Sequence, residues 1–403
     1  MTSSVSSPES TGDLLLALFR ELFGELPGKS TLVFRAPGRV NLIGEHTDYN
    51  DGFVMPMAIG FYTWVAAAKR EDRILEAYSE YFDERIALPL DTLSGPPRKH
   101  WSDFIRGVAA TLQEAGHTLS GGNLLIHGQV PLGAGLSSSA SLEVSVALAL
   151  TSLAGLALPR LDLVKLCQAA EHKYVGTRCG IMDQFVTGFG VAGHALMLDC
   201  RSLDYQLLPI PQDLRLVVCN SMVRHELASG EYNRRRADCE AGVRLLRSSL
   251  PAVRALRDVA ITDLEKYKHL LPGTVYRRCR HVVTENQRVL AAAKALQSQD
   301  ADRFGHLMYR SHASLRDDYE VSCRELDLLV DLASSKRGVY GARMMGGGFG
   351  GCTVNLVRSD CASAFQAEMA RMYAERTGTT PDLYVCEPAQ GAEARPVKGG
   401  IQT

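Results

Sequence analysis

Apolar positions first recur at helical spacing at Leu14, Leu15, Leu18, Phe19 and Leu22, behind Asp13 as a candidate N-cap and ahead of Gly24 as a stop. That spacing predicts a packing helix. Residues 31–36, 53–68 and 73–79 are short apolar runs with polar punctuation and read as strands, with Tyr62, Trp64 and Ala66 alternating onto one face. Trp101 opens a helical pattern whose Phe104, Ile105, Val108, Ala109 and Leu112 line one side. Residues 124–130 predict a strand, and 141–158 and 161–174 predict helices. In the last of these Val164, Cys167, Glu171 and Tyr174 share a face. A carboxylate in an apolar stripe needs a cation or a strong donor, so Glu171 is a candidate Mg2+ ligand, with a salt-bridged edge position as the alternative.

Beyond residues 194–199 and 214–220, two further predicted strands, the alternation continues. Helices are predicted over 229–246, 275–297, 301–315, 323–333 and 362–376, and strands over 339–344, 352–357 and 383–386. Arg234 to Arg236 and Arg277 to His281 are basic runs that read as solvated or salt-bridged helix faces. Residues 391–403 read as a frayed tail. The pattern changes over 201–211, which places a domain boundary there, with units of 1–205 and 206–403. Helices and strands in both units predict a mixed α/β (α+β) fold.

The chemistry concentrates in the turns. Pro131 to Glu143 reads P-L-G-A-G-L-S-S-S-A-S-L-E between a strand and a helix. Unpaired N–H groups and the helix dipole make such a corner a candidate phosphate site, with an ordinary turn followed by a Ser N-cap and a core helix as the alternative. Gly133 and Gly135 permit close backbone approach, and Ser137, Ser138 and Ser139 supply hydroxyls that can cap the helix or reach phosphate or Mg2+. Gly133-x-Gly135 falls short of the dinucleotide fingerprint, because the third glycine and an acidic residue closing a second strand are missing. Gly24 to Ser30 resembles a P-loop one residue short and stands between helix and strand in the wrong order.

Residues 37–52 hold Arg39, Glu45, His46 and Asp48 around three glycines, with Leu42 and Ile43 to bury part of the segment. Buried charges need partners, and a polyhydroxylated ligand would supply them. Asp183 falls in the first turn of a short helix after Gly180, where the dipole helps keep it ionised, and the alternative is an N-terminal helix carboxylate with only electrostatic work. Tyr232 offers a hydroxyl, and Gly346 to Gly351 make sense where the chain passes close to a ligand or another loop.

Composition narrows the classes. A net charge of -1 gives no global field for nucleic acid or an anionic membrane. The ten cysteines begin at Cys167 without metal-ligand pairing and read as reduced thiols, several of them buried. The first ten residues are polar and Ser-rich rather than a signal peptide, and no apolar run reaches membrane-spanning length, so cytoplasm is the expected location.

Three motifs in this order resemble the GHMP small-molecule kinases, and most of all their galactose-phosphorylating branch. They are Gly38 to Asn50, Pro131 to Ser141 and Arg343 to Cys352, and the likeness runs through Cys179 to Phe185 and Ser314 to Cys323. Arg324 and Met345 depart from the usual Pro and Thr and bear on loop geometry. The resemblance implies a ribosomal-protein-S5-like N-terminal domain that binds sugar and nucleotide, a ferredoxin-like C-terminal domain, and an active site between them. It implies ATP-dependent, Mg2+-assisted phosphorylation of galactose at O1. Matched by position, Arg39 and Asp183 are catalytic. Arg39, Glu45, His46, Asp48, Gly180, Asp183 and Tyr232 contact sugar, Trp101, Gly133, Gly135, Leu136, Ser137, Ser138 and Ser139 contact ATP, and Ser138 and Glu171 lie at Mg2+. The expected partners are the two small molecules alone, with the chain a monomer. An N-acetylgalactosamine kinase resembles H-I-D-Y where this chain has His46-Thr-Asp-Tyr49. A non-catalytic sugar sensor loses part of the serine run that this chain keeps.

Overall fold

The computed structural model describes residues 8–25, 30–223 and 228–395. Its strands are β1 (Leu32–Asn41), β2 (Phe53–Val54), β3 (Pro56–Lys69), β4 (Ile74–Ser79), β5 (Glu84–Pro89), β6 (Gly122–Gly128), β7 (His194–Asp199), β8 (Tyr205–Pro209), β9 (Leu214–Asn220), β10 (Val339–Met345), β11 (Cys352–Arg358), β12 (Asp382–Cys386) and β13 (Glu393–Arg395). The helices are α1 (Pro8–Phe23), α2 (Ser102–Glu114), α3 (Ser138–Leu153), α4 (Arg160–Ala170), α5 (Met182–Phe189), α6 (Ala228–Leu246), α7 (Ile261–Lys266), α8 (Gly273–Gln297), α9 (Ala301–Asp317), α10 (Arg324–Ser334) and α11 (Ala362–Thr377).

Six strands form one sheet in the order β13-β1-β3-β6-β4-β5, antiparallel except where β4 meets β6. Period-two alternation gives that sheet two apolar faces. Val65 and Ala67 of β3 pack with α2, α3 and α4 in one core, while Tyr62, Trp64, Ala66 and Ala68 face Leu15, Leu16 and Phe19 of α1. A second sheet runs β10-β11-β9-β12, all antiparallel, and β2-β7-β8 form a third. Val217 and Cys219 of β9 lie under α10 and α11. The other face, with Leu216, Val218 and Val354, packs on Leu42, Ile43, Met55 and Met57 from the first half and on Val289 and Ala292 of α8. Each such side chain contributes roughly 1.5–3 kcal/mol on burial. The polar segment between β1 and β2 is therefore clamped between the halves.

Several expectations shift. Helix α1 begins at Pro8, so Asp13 lies inside it and is not its cap; Gly24, at φ 76°, closes it as predicted. β1 runs on to Asn41 through a register shift between Pro37 and Arg39, so the first part of the polar segment is strand. Helix α3 starts at Ser138, ends before Gly155 (φ 67°), and is shorter than its apolar run. β5 was not legible, because it is a half-exposed edge strand of mixed polarity. The tail does not fray through residue 395: β13 pairs with Val33 to Arg35, and Arg35 Nε donates to Glu393 at 2.8 Å. Residues 396–403, most of the Ser-rich start and residues 26–29 of the P-loop-like segment lie outside the described residues. The basic runs are not wholly solvated, since Arg235, Arg278 and His281 are buried. All ten cysteines are free thiols, six of them buried. No helix among the described residues is long and apolar enough to cross a membrane.

Candidate active site

The bulge in β1 sets the centre of the site. Gly38 lies so close to the 131–137 turn that a Cβ would stand 2.7 Å from Leu136 O, and the Arg39 N–H donates to that same oxygen at 2.9 Å. The Arg39 side chain then meets Asp183 in a fork, Nε to Oδ1 at 2.8 Å and Nη2 to Oδ2 at 2.7 Å, and Nη1 donates to Gly135 O. Such bidentate pairs are strong and directional. Burial alone would lower the Arg39 pKa, but Asp183 and Glu45 outweigh it and leave it raised. Asp183 sits in the first turn of α5, as predicted, and its Oδ2 also accepts from the Ser137 hydroxyl at 2.5 Å.

Ser137 therefore does not cap α3. It stands at φ 64° at the N-cap position without a side-chain cap bond, because its hydroxyl is engaged by Asp183. Gly133 (φ 72°) and Gly135 (φ 69°) alternate with it in the left-handed region, the backbone pattern of an anion-binding nest. Ser138 lines a neighbouring cavity of about 60 Å3 with Trp101, Phe82 and Leu132. The Trp101 ring stacks on Phe82 at 5.8 Å and 12°, and its Nε1 donates to Glu84 at 2.6 Å. Trp101 is thus both core residue and cavity wall. Ser139 is half-buried at the start of α3.

On the other side of the Arg39–Asp183 pair is a cavity of about 150 Å3, lined by both residues and by Glu45, His46, Asp48 and Tyr232. Glu45 Oε1 accepts from the Gly346 N–H at 2.8 Å, which ties the second glycine loop to the pocket. His46 takes φ 62°; its Nδ1 lies 2.7 Å from the Tyr49 hydroxyl, while its buried Nε2 has no hydrogen-bond partner among the described residues. Burial holds the His46 pKa well below its usual value, so the ring is neutral. Burial and then Asp183 push the Asp48 carboxyl up to about 7. Gly180 stands behind Asp48, where a Cβ would come within 2.0 Å of Asp48 Oδ2. The Tyr232 ring lies 5.4 Å from both His46 and Tyr49. The later glycines run close to other backbone, as expected: a Cβ on Gly348 would stand 2.2 Å from Val321 O.

Glu171 lies in a single π turn, 171–175, that ends α4. Among the described residues it forms no ion pair. Its Oε2 accepts from Gln184 Nε2 at 2.7 Å and from the Cys179 thiol at 3.4 Å, and Gln184 Nε2 also donates to Glu143 Oε2 at 3.0 Å. Burial and then Asp183 push Glu171 up to about 7; burial and then Glu171 raise Glu143 well above the carboxylate range. Glu143 and Gln184 escaped the sequence reading. A carboxylate inside the Ala- and Leu-rich α3 was the available signal, the same one that singled out Glu171. Arg343, His281, Glu285 and Asn286, which support the polar segment from behind, also escaped it, because nothing local distinguishes them from other polar residues in a strand or helix.

Family profiles match three stretches: the galactokinase galactose-binding signature over residues 17–69, the GHMP kinase N-terminal domain over 103–191 and the GHMP kinase C-terminal domain over 292–375. A galactokinase of Chloroflexus aggregans is 52% identical over 377 residues, 94% of this chain and 96% of the relative. One from Chloroflexus aurantiacus is 51% identical over the same shares. The crystal structure of Lactococcus lactis galactokinase complexed with galactose superposes with a TM-score of 0.91 at 38% identity, covering 95% of this chain and 99% of that one. Methanococcus jannaschii mevalonate kinase, at 16% identity and a TM-score of 0.62 over 91% of this chain and 100% of its own, shares the fold. The chain belongs to the galactokinase family of the two-domain GHMP kinases.

Proposed function

We propose that the protein transfers the γ-phosphoryl group of ATP to O1 of galactose, forming galactose 1-phosphate and ADP. The observation that carries this is the Arg39–Asp183 fork, bonded on one side to the glycine-serine turn and open on the other to the polar cavity. Phosphoryl transfer needs positioning and charge neutralisation more than covalent chemistry. Asp183 orients the O1 hydroxyl and accepts its proton, and Arg39 offsets charge on the transferring group. Glu45, His46, Asp48 and Tyr232 bond sugar hydroxyls, and Gly180 gives Asp48 its room. Backbone N–H groups of the 133–139 turn cradle phosphates, with Leu136 fixing the turn to Arg39 and Trp101 on the adenine side.

Ser138 and Glu171 suit Mg2+, which takes hard oxygen donors and fills its remaining positions with phosphate oxygens and water. Beside Glu171, the buried Glu143 Oε1 and Gln184 Oε1 have no hydrogen-bond partner among the described residues, and the two carboxyls of Glu143 and Glu171 call for positive charge between them. Bound there, Mg2+ would offset the phosphate charge. Residues 1–205 and 206–403 supply the two domains around the site, with β8 and β13 reaching back to pair with strands of the first half, the chain works as a monomer, and its free thiols suit the cytoplasm.

The test is purified protein with Mg-ATP and galactose, N-acetylgalactosamine, glucose or mevalonate in turn, with ADP and phosphorylated product measured. Turnover confined to galactose and lost on chelation is expected. Preference for N-acetylgalactosamine, or binding of galactose and ATP without turnover, would overturn the assignment.

A further inference from the structure

The polar segment that supplies Glu45, His46 and Asp48 is bonded within itself, with Thr47 Oγ1 2.8 Å from Gly44 O and 2.7 Å from Phe53 O and Asn50 Nδ2 donating to His46 O at 2.9 Å, and it also leans on a distant helix. His46 (φ 62°) and Asp51 (φ 57°) occupy the left-handed region, which a side-chain-bearing residue adopts at a cost and keeps only where its surroundings over-determine it. What surrounds it is α8, 230 residues or more further along the chain. Glu285 Oε1 accepts the Gly44 N–H at 2.9 Å, His281 Nε2 donates to Glu45 O at 3.1 Å, and Asn286 Oδ1 accepts the Phe53 N–H at 2.9 Å. Positions 281 and 285 share one helix face, and 286 lies about 100° further round the helix beside it. All three side chains are buried.

Two glycines let the segment lie against that face. A Cβ on Gly44, at φ 103°, would stand 2.9 Å from Val289 Cγ2 of α8 and 2.8 Å from Phe53 O. One on Gly52 would stand 2.4 Å from Asn286 Oδ1. The face is itself braced: Glu285 accepts from Arg288 Nε at 2.5 Å and from Ser311 Oγ at 2.6 Å. Burial alone would raise the Glu285 pKa, but Arg288 and His281 hold it down at about 2, so its bond to Gly44 is charge-assisted. The Tyr319 ring packs at 4.6 Å on both His281 and His46, so the helix also braces, through Tyr319, the His46 ring that lines the cavity.

We infer that His281, Glu285 and Asn286 are positioning residues for sugar recognition: through the backbone of Gly44, Glu45 and Phe53 they hold the 44–53 segment in the shape that presents Glu45, His46 and Asp48 to the sugar. The inference rests on the sugar-kinase reading above. The bonds fall at both ends of the segment, and none reaches the nucleotide turn, so loosening them affects one substrate and spares the other.

Asn286→Ala removes the acceptor for Phe53, and Asn286→Asp keeps an oxygen in its place. With galactose and Mg-ATP varied in turn, Asn286→Ala raises KM for galactose about tenfold, the loss of one buried hydrogen bond, and leaves KM for ATP within about twofold. Asn286→Asp restores most of the galactose KM. Galactose affinity measured by calorimetry falls in parallel with the KM change. Should Asn286→Ala fail to fold, His281→Phe carries the same expectation, since it removes the donor to Glu45 O and keeps a ring against Tyr319. Both KM values unmoved, or both rising together, would overturn the positioning role. Wild-type protein that fails to phosphorylate galactose would overturn the reading beneath it instead.

Discussion

Arg39 and Asp183 stand 144 positions apart, yet they share two hydrogen bonds at the meeting point of the nucleotide turn and the polar cavity. Asp183→Ala should lower kcat by roughly 100- to 10,000-fold, the usual worth of a positioned acid or base. The circular dichroism spectrum should remain native, because Arg39 keeps its bond to Gly135 O and the exposed edge of the pocket admits water. A folded variant with unchanged kcat would remove Asp183 from the mechanism. Asp48 makes a different prediction. Its carboxyl is pushed up to about 7 in the folded protein, by burial first and then by Asp183. Between an unfolded value near ~4 and that folded value, the native state binds the extra proton. The stability this contributes is full below ~4 and is lost as pH rises through about 7, at up to about 1.4 kcal/mol per pH unit. Thermal melts of the ligand-free protein should therefore show Tm falling from pH 5 to 8. Asp48→Asn should flatten the fall in part only, since Glu171 titrates in the same window. A Tm that rises over that range would contradict the assignment.

At the scale of elements, the C-terminal strand β13 is a latch on the first sheet. It pairs with β1, and Glu393 meets Arg35, whose guanidinium lies 4.2 Å from the Tyr62 ring centroid and 5.2 Å from that of Trp64. Glu393→Ala leaves the buried Arg35 without that carboxylate. Urea unfolding should show a loss of about 1–3 kcal/mol, below the cost of breaking a fully buried pair because Glu393 is partly exposed. KM for either substrate should hardly change, because the latch lies away from the site. The tail's polar, unpatterned residues gave no sign of this role. Three residues of strand are too few for a periodicity, and the partner edge is more than 350 positions away. The same limit hid β5 and the bulge in β1, whose pairing depends on a neighbouring strand rather than on its own residues. Long periodic elements fared otherwise. The expected helix over 275–297 differs from α8 only at its first turn.

The whole molecule is joined by a core that belongs to both halves: Leu42, Ile43, Met55 and Met57 pack with Leu216, Val218, Val289 and Val354. Chains of this length commonly unfold in steps. Here a shared core predicts coincident transitions by far-UV circular dichroism and tryptophan fluorescence, the two tryptophans both lying in the first half. Two separated transitions would mean that the halves stand independently. Galactose alone at about a hundred times its Kd should raise stability by about 2.7 kcal/mol without splitting the transition. The sequence by itself determined the mixed α/β class and most helices and strands, and it singled out Arg39, Glu45, His46, Asp48, Asp183 and Tyr232, which line one cavity, because periodicity and turn chemistry are local and the three motifs are contiguous. Only the tertiary structure decided that Ser137 serves Asp183 rather than a helix cap, that Glu143 and Gln184 stand beside Glu171, and that α8 supports the 44–53 segment. Those are contacts between residues far apart in the chain, and a side chain's partner there is set by how the elements pack, which no local pattern records.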